Sequence, residues 1–529
     1  MTPKRQTGVH FALAIALAVA SAAVWALLWI TDWPLGIRGE WTWARIAHPD
    51  SSIWDSLLGI LQAGLALGCI ALVAWWGGRR FARRTQSDIS SRLIRATMLL
   101  GLVTTGFLGT GLLEHSLPPG HGIGRSPWVL YYPGTSGYYY EARRVTSFDD
   151  FRRSYLDVLD DSDLNRRTLH LGTHPPGLFL AHLAVREACR RSPALRKTLL
   201  NGQPDRVREA QATILEAGRP IPPIDTAALW LATLLTQLLA VATLLPIYRL
   251  VRIDHSPETA WRAASLWLLV PAVNVFLPKS DCLYPLLATA ALWLWWAAIR
   301  GHRSGMTAKT AQLHLGLNAL NASLAAGIAW IGLCLSLAFL PILALAASLA
   351  LCMHWQGRFN RRQLLTWSIA SFAGIALPTL ATWITLDFNL PEIWWSNLAN
   401  HAAFYDQPEH PRSYWPWLGL NTLELTVALG VPLAGLAIGG LVLRARQPKP
   451  ELQAPAWTCL AVWCLLWLSG KNMGEAARLW LFLMPWACWL AASALDRLRN
   501  RDWAMLLLLQ AAMALAVVQR VTGFDFARG

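Results

Sequence analysis

Runs of about twenty apolar residues recur along the chain, and no other feature limits its possible folds so severely. Residues 9–30, 57–76, 226–247 and 417–443 are of this kind. Each is long enough as a helix to cross roughly 30 Å of hydrocarbon. In lipid the peptide N–H and C=O groups must be satisfied within the segment, which a helix achieves alone. The 529 residues are 54% hydrophobic and 15% charged, with a mean hydropathy of +0.35. That composition argues for one membrane domain over 1–529 rather than several soluble ones. The predicted fold class is all-α, a polytopic transmembrane helical bundle. The 30 Trp suit it, because indoles collect at the water–lipid boundary.

A formal charge of +15 raises the question of nucleic acid. The basic residues form no single patch, however. They are dealt out in short clusters between apolar runs, the pattern of cytoplasmic anchors, so no nucleic-acid partner is expected. Six of the eight Cys (Cys69, Cys334, Cys352, Cys459, Cys464 and Cys488) lie inside apolar runs, and no CxxC or disulfide framework is present. Lys4 and Arg5 precede an apolar stretch from Phe11 to Ile30. It is too long for a signal-peptide core and lacks a small-residue cleavage site, so an uncleaved first span is predicted.

The basic clusters orient the spans. Arg79, Arg80, Arg83 and Arg84 mark a cytoplasmic loop after the second run, which makes the N-terminus cytoplasmic too. Spans at 9–30, 55–77 and 95–113 lead to a long polar segment, 114–224, placed outside. Its one apolar stretch, 175–185, rises about 16 Å as a helix and is too short to cross. It is predicted to be re-entrant or interfacial. Further spans follow at 226–248, 261–277, 282–299, two within 315–355 around Pro341, 365–386, 417–443, 456–469, 479–495 and 503–519. With this total of about thirteen, the basic loops at Arg249, Arg300, Arg358, Arg444 and Arg497 all fall on the cytoplasmic side. Had 175–185 crossed, every one would face outward. Phe151, Tyr155, Leu156 and Leu159 predict a short amphipathic helix within 149–167, on the membrane surface. The chain thus divides into a two-span extension (1–94), a core containing the large outer loop (95–390) and C-terminal spans (391–529), expected in the inner (cytoplasmic) membrane.

The outer side gathers D-W-P-L-G-I-R-G-E-W-T-W (32–43), S-G-Y-Y-Y-E-A-R-R (136–144), H-L-G-T-H-P-P-G (170–177), L-P-K-S-D-C-L-Y (277–284), N-H-A-A-F-Y-D-Q-P-E-H-P-R-S-Y-W (400–415) and S-G-K-N-M-G-E-A-A-R-L-W (469–480). Ionisable groups near lipid are costly, which makes them functional candidates. Pro175 and Pro176 hold His174 rigidly at a helix mouth, where it either contacts a ligand or is simply exposed. His170 and His174 are spaced i,i+4, but Gly172 and the prolines disfavour a helix there, and no HExxH exists; no metal site is assigned. Asp281 is an N-cap or a site carboxylate. Glu475 and Arg478 form a local pair, or Lys471 and Arg478 clamp a phosphate, with Arg412 a second candidate for that work. Glu40, beside Trp41, is an anchor or a site residue. Glu141 follows three tyrosines beginning at Tyr138, which stack on a sugar or join an aromatic belt.

This ordered set resembles the GT-C superfamily of membrane glycosyltransferases, which includes protein O-mannosyltransferases and the aminoarabinose transferases of lipid A. Those enzymes have a cytoplasmic N-terminus, about a dozen spans and a large early outer loop closing in H-P-P-L or K-P-P-L. His174-Pro175-Pro176-Gly177 looks like that element, with Gly177 in place of Leu, and Asp281 like the second acidic residue of the family. The resemblance covers roughly 95–390. It implies a polyprenyl-phosphate-linked sugar as donor, an extracytoplasmic lipid, glycan or protein acceptor, and membrane lipids as neighbours; the metal requirement stays open. The first acidic residue of the family, often an Asp-Glu pair, aligns here with Thr135-Ser136-Gly137. The base is left among Glu141, Glu40 and Asp149 or Asp150, with Glu114 also nearby. The implied reaction needs a carboxylate to deprotonate the acceptor and cationic donors for the leaving phosphate. It needs no soluble nucleotide-binding domain, and the sequence has neither a P-loop nor a GxGxxG between strand and helix. The alternative is a transporter or flippase of a lipid-linked precursor. The spans, nearly free of central charge, favour the enzyme.

Overall fold

The computed structural model describes residues 3–47, 53–82, 89–132, 135–163, 170–216, 221–301, 308–405 and 411–524. About 80% of the chain is helical. Among the described residues nine helices are long and apolar enough to cross a membrane: Trp54–Phe81, Arg92–His115, Pro223–Val251, Ser280–Arg300, Gln312–Leu335, Leu337–Trp355, Arg361–Leu386, Glu451–Leu468 and Asn500–Val518. A tenth is gained if Tyr414–Leu429 and Val431–Ala445, bent by 108°, count as one span. The molecule is therefore built as a helical membrane protein.

Thirteen runs were predicted to cross, and two of them, 261–277 and 479–495, lack a full-length helix for local reasons. The run at 261–277 is split into Pro257–Trp267 and Pro271–Val275. Pro271 has no N–H to continue the ladder and holds Val270 extended. The run at 479–495 opens with a 3-10 turn, Leu481–Leu483, ahead of the α-helix Met484–Leu495, while the first run lies in the unbroken helix Pro3–Trp29.

The bend between Tyr414–Leu429 and Val431–Ala445 falls at Gly430, whose φ of 86° suits glycine alone, with Pro432 next. A broken helix in a membrane leaves peptide groups that need partners. Gln510 supplies them. Its side chain is fully buried and donates to the Leu429 carbonyl (2.7 Å), while its oxygen accepts from the Leu433 N–H (3.1 Å). The same amide group donates to the Leu269 carbonyl (3.0 Å), at the break in the other interrupted run. One side chain of the Asn500–Val518 helix thus stitches two helix breaks.

A small sheet interrupts the otherwise helical fold. β1 (Leu35–Ile37) pairs antiparallel with β2 (Trp41–Arg45), and β2 with β3 (Val521–Thr522). Leu35 faces Trp43 and Arg45 faces Val521. Arg520 adds bonds to the Leu28 and Ile46 carbonyls (3.1 and 2.6 Å). The Trp residues serve two purposes. Trp33, Trp54, Trp355, Trp395 and Trp415 are exposed, as interfacial indoles are. Eight others, Trp261 and Trp296 among them, are fully buried core side chains. A buried indole usually finds an acceptor, and Trp261 donates to the Ala74 carbonyl (2.8 Å).

Residues 175–185 lie in the helix Gly177–Arg191, which packs on Tyr138–Ala142 and Pro223–Ala242 and is not among the crossing helices. A side chain at Gly177 would have its Cβ 2.4 Å from the Cys334 carbonyl oxygen. Close packing thus explains the glycine where Leu stands in the similar motif. Gly177→Ala is expected to destabilise the protein by about 1–3 kcal/mol, seen as a lower unfolding midpoint. The amphipathic helix expected at 149–167 is observed as Phe148–Leu159; it buries Phe151, Tyr155 and Leu159 as expected, but Val158 instead of Leu156, which is exposed. Residues 164–167 lie outside the described residues.

Candidate functional site

The segment 277–284 is positioned by a buried arginine. Arg125, 1% exposed, donates to the carbonyls of Asn274 (3.0 Å), Val275 (2.9 Å) and Leu277 (3.2 Å), and lies 3.6 Å from Glu114. A planar fork with several donors suits three carbonyls at once. Arg125→Lys keeps the charge opposite Glu114 but not the fork. It should cost about 1–2 kcal/mol of stability, measured as a lower unfolding midpoint.

Beyond that staple stand Lys279 and Asp281. Lys279 is 4% exposed, and its Nζ makes no hydrogen bond with any described residue. Burial, then the nearby charge of Arg478, pushes its pKa down to about 7, against the opposing pull of Asp281 and Glu475. Arg478 reaches this point from the short helix Ala476–Leu479 and pairs with Glu475 at 2.6 Å. Two cations and two carboxylates therefore share one partly dehydrated spot.

His174 and Tyr138 complete the group, their rings edge-on with centroids 6.0 Å apart. The His174 carbonyl accepts from the Tyr155 hydroxyl (2.8 Å), and its Nδ1 lies 3.1 Å from the Thr173 hydroxyl. Asn397 and Asn400 both donate to the Gly172 carbonyl (2.9 and 3.0 Å). The His-Pro-Pro turn is thus held from two helices. Burial, with Tyr284 and Asp281 adding to it, raises the Tyr138 hydroxyl well above its usual range, so it stays a donor.

His174, Asp281 and Lys471 line a common cavity of about 490 Å³, together with His401, Ser469 and Trp480. The rest of its wall is mostly aliphatic, including Leu337, Leu340, Leu465 and Leu466. Burial, then the Lys471 charge, pushes His401 down to about 4, so its ring is neutral at neutral pH. No protein-family model matches this chain, and no curated protein matches it. Among the described residues no group of three His, Cys, Asp or Glu is placed to hold a metal.

The sequence-predicted residues separate into four places. Tyr138, His174, Asp281, Glu475 and Arg478 come together, with Lys471 on the rim of the same cavity. Glu40 and Arg412 meet each other instead. The Glu40 carboxylate accepts from the Ser413 N–H (2.7 Å), the Ser413 hydroxyl and the Trp417 indole (2.7 Å), so it tethers the start of the helix Tyr414–Leu429. Arg412 donates to the Glu40 and Met473 carbonyls (2.9 and 3.1 Å) and stacks over Trp41. Desolvation works to raise the Glu40 pKa, but the Ser413 and Trp417 bonds outweigh it and hold the value below normal. This latch leaves Glu40 poorly suited to take up a proton. Glu141 pairs with Arg144 at 3.4 Å and does not line the cavity. Asp149 and Asp150 occupy the first turn of Phe148–Leu159, where Asp150 accepts from the Thr146 N–H (2.9 Å). Asp281 does not N-cap the next helix, whose cap position is Leu283.

Three residues were missed. Lys279 sits within the quoted L-P-K-S-D-C-L-Y but attracted no role, although a lysine between Pro278 and a nearby Asp was a usable signal. His401 was hidden in the same way. Glu424 lies inside an apolar run that had been read as nearly free of charge, and its Oε1 accepts from the Ala477 N–H (2.8 Å).

Proposed function

We propose that the chain is a GT-C-like membrane glycosyltransferase, moving a sugar from a polyprenyl-phosphate donor to an acceptor on the extracytoplasmic face of the inner membrane. The proposal keeps the thirteen-crossing topology with a cytoplasmic N-terminus, taking the interrupted runs as broken crossings. One observation carries it: the dehydrated cations Lys279 and Arg478 stand beside Asp281, next to a largely aliphatic cavity rimmed by Lys471. A phosphate on a hydrocarbon tail needs that combination of charge and apolar wall.

In the proposed step the acceptor hydroxyl attacks the anomeric carbon and a C–O bond forms. Its proton passes to Asp281 or Glu475. The bond from the anomeric carbon to the phosphate oxygen breaks, and its electron pair leaves with the polyprenyl phosphate. Arg478, Lys279 and Lys471 stabilise that charge, and His174 hydrogen-bonds the phosphate or the sugar. Tyr138 keeps the imidazole in place.

The alternative, a flippase of a lipid-linked precursor, draws support from the broken helix at Gly430 with Glu424 in its first half. The deciding experiment puts the purified full chain in proteoliposomes with polyprenyl-phosphate sugars labelled in the sugar and mixed cell-envelope acceptors. Label appearing in a new product, with release of polyprenyl phosphate, supports the transferase. Label crossing the bilayer on an intact donor, with no product, refutes it in favour of the flippase.

A further inference from the structure

A second cavity lies on the other side of the Ala476–Leu479 helix. Ala477 lines it, whereas Leu479 lines the first. It measures about 120 Å³ against about 490 Å³ for the first, and its wall is apolar: Leu28, Leu35, Phe276, Leu423, Val427 and Ala428 contribute. Leu423 and Pro34 are exposed at its edge, Leu423 by 48%. Leu423 belongs to a helix of the bent membrane pair, so hydrocarbon reaches the mouth more readily than water.

Glu424 is the one ionisable group among the described residues that line this cavity. The Ala477 N–H and the Trp43 indole hold its carboxyl, which also lies close enough to Glu475 and Arg478 to interact with them electrostatically. Both cavities therefore carry a carboxyl, but among the described residues only the first carries cationic side chains. The first carries Lys471 and His174 beside Asp281 and adjoins Lys279, so it offers cations to an anionic head. The second offers a carboxyl, which accepts hydrogen bonds and repels an anion.

Resting on the transferase reading, we propose that the second cavity takes the hydrocarbon chain of the acceptor, and that the acceptor is a lipid whose head is non-anionic and bears a hydroxyl or amine. The chain enters past Leu423, and the head hydrogen-bonds Glu424. That places it beside Glu475 and Arg478, on the side opposite the donor phosphate. A water-soluble glycan or peptide would leave this apolar space unfilled.

The test uses the full chain in lipid nanodiscs and two photoreactive probes with the same diazirine-bearing alkyl chain, one ending in an alcohol and the other in a phosphate. The alcohol should label residues 420–428, and the phosphate should label the walls around Leu340 and Leu465. Leu423→Trp and Ala428→Trp should each cut alcohol labelling by about tenfold or more, since each excluded methylene weakens binding about fourfold. Leu423 is exposed, so its replacement is tolerated even if the Ala428 variant misfolds. Alcohol labelling confined to the first cavity, or unchanged in Leu423→Trp, overturns the proposal. So does transfer to soluble acceptors alone. Labelling needs no turnover, so a chain that takes up the alcohol at 420–428 yet transfers no sugar refutes the transferase and not the lipid site.

Discussion

Arg478→Ala should lower kcat for sugar transfer by about a hundredfold to a thousandfold, the usual effect of removing one donor from a developing anion. The leaving phosphate gains charge as its bond to the sugar breaks, so a fixed guanidinium acts more strongly in the transition state than on the bound donor. Its side chain is only 13% exposed, so water screens it little. Arg478→Lys retains the charge without the bidentate fork and should recover only part of the rate. The competing view makes Arg478 merely the partner of Glu475. On that view Arg478→Ala and Glu475→Gln would lower the unfolding midpoint alike and leave kcat per folded molecule near wild type. Steady-state kinetics on purified protein, normalised to the folded fraction, separates the two.

Lys279→Met carries the second large effect, and its signs oppose. Donor affinity should fall by about a hundredfold, as for a charge-assisted bond to phosphate worth ~1.5–3 kcal/mol. Stability should rise by about 1–3 kcal/mol, because an amine that is buried and lacks a hydrogen-bond partner among the described residues is replaced by an apolar chain of similar length. A purely structural lysine would not move both in these directions. The pH dependence adds a further check. With its pKa near 7 rather than the ordinary 10.5, Lys279 is charged in the folded protein only below about pH 7. Donor affinity should therefore weaken as pH rises through 7, and Lys279→Arg, which stays charged, should remove that dependence. Between pH 7 and 10.5 the unfolded chain binds the extra proton, so stability should rise with pH across that window. Lys279→Met should flatten the rise.

The helical class and most crossing segments could be read directly, because a long apolar run has few ways to satisfy its backbone. Breaks within runs were harder. Pro271 and Gly430 were visible as letters, but whether such a residue ends a helix depends on a partner for the freed carbonyls. That partner, Gln510, lies 80 residues or more away in the chain. The β1–β2–β3 sheet was invisible for the same reason, since β3 is a two-residue strand defined by its partner. At the site, motif residues such as His174, Asp281 and Arg478 were recognisable by local oddity, being charged or rigid beside apolar sequence. Glu40 and Arg412 looked equally odd and proved to be held by Ser413, Trp417 and Met473. Local sequence shows that a polar group needs a partner; it does not show whether the protein or a ligand provides one.

The position of Gln510 has a consequence for biogenesis. Spans emerge from the ribosome in order, so the carbonyls of Leu269 and Leu429 enter the bilayer long before the amide that will satisfy them. Until the Asn500–Val518 helix arrives, both kinks carry exposed peptide dipoles, and β2 lacks the β3 edge that joins it to Val521 and Thr522. Final closure of both kinks therefore waits for the Asn500–Val518 helix. A chain stalled before residue 500 would present two unsatisfied kinks and an open strand edge, the kind of defect that membrane proteases and chaperones act on.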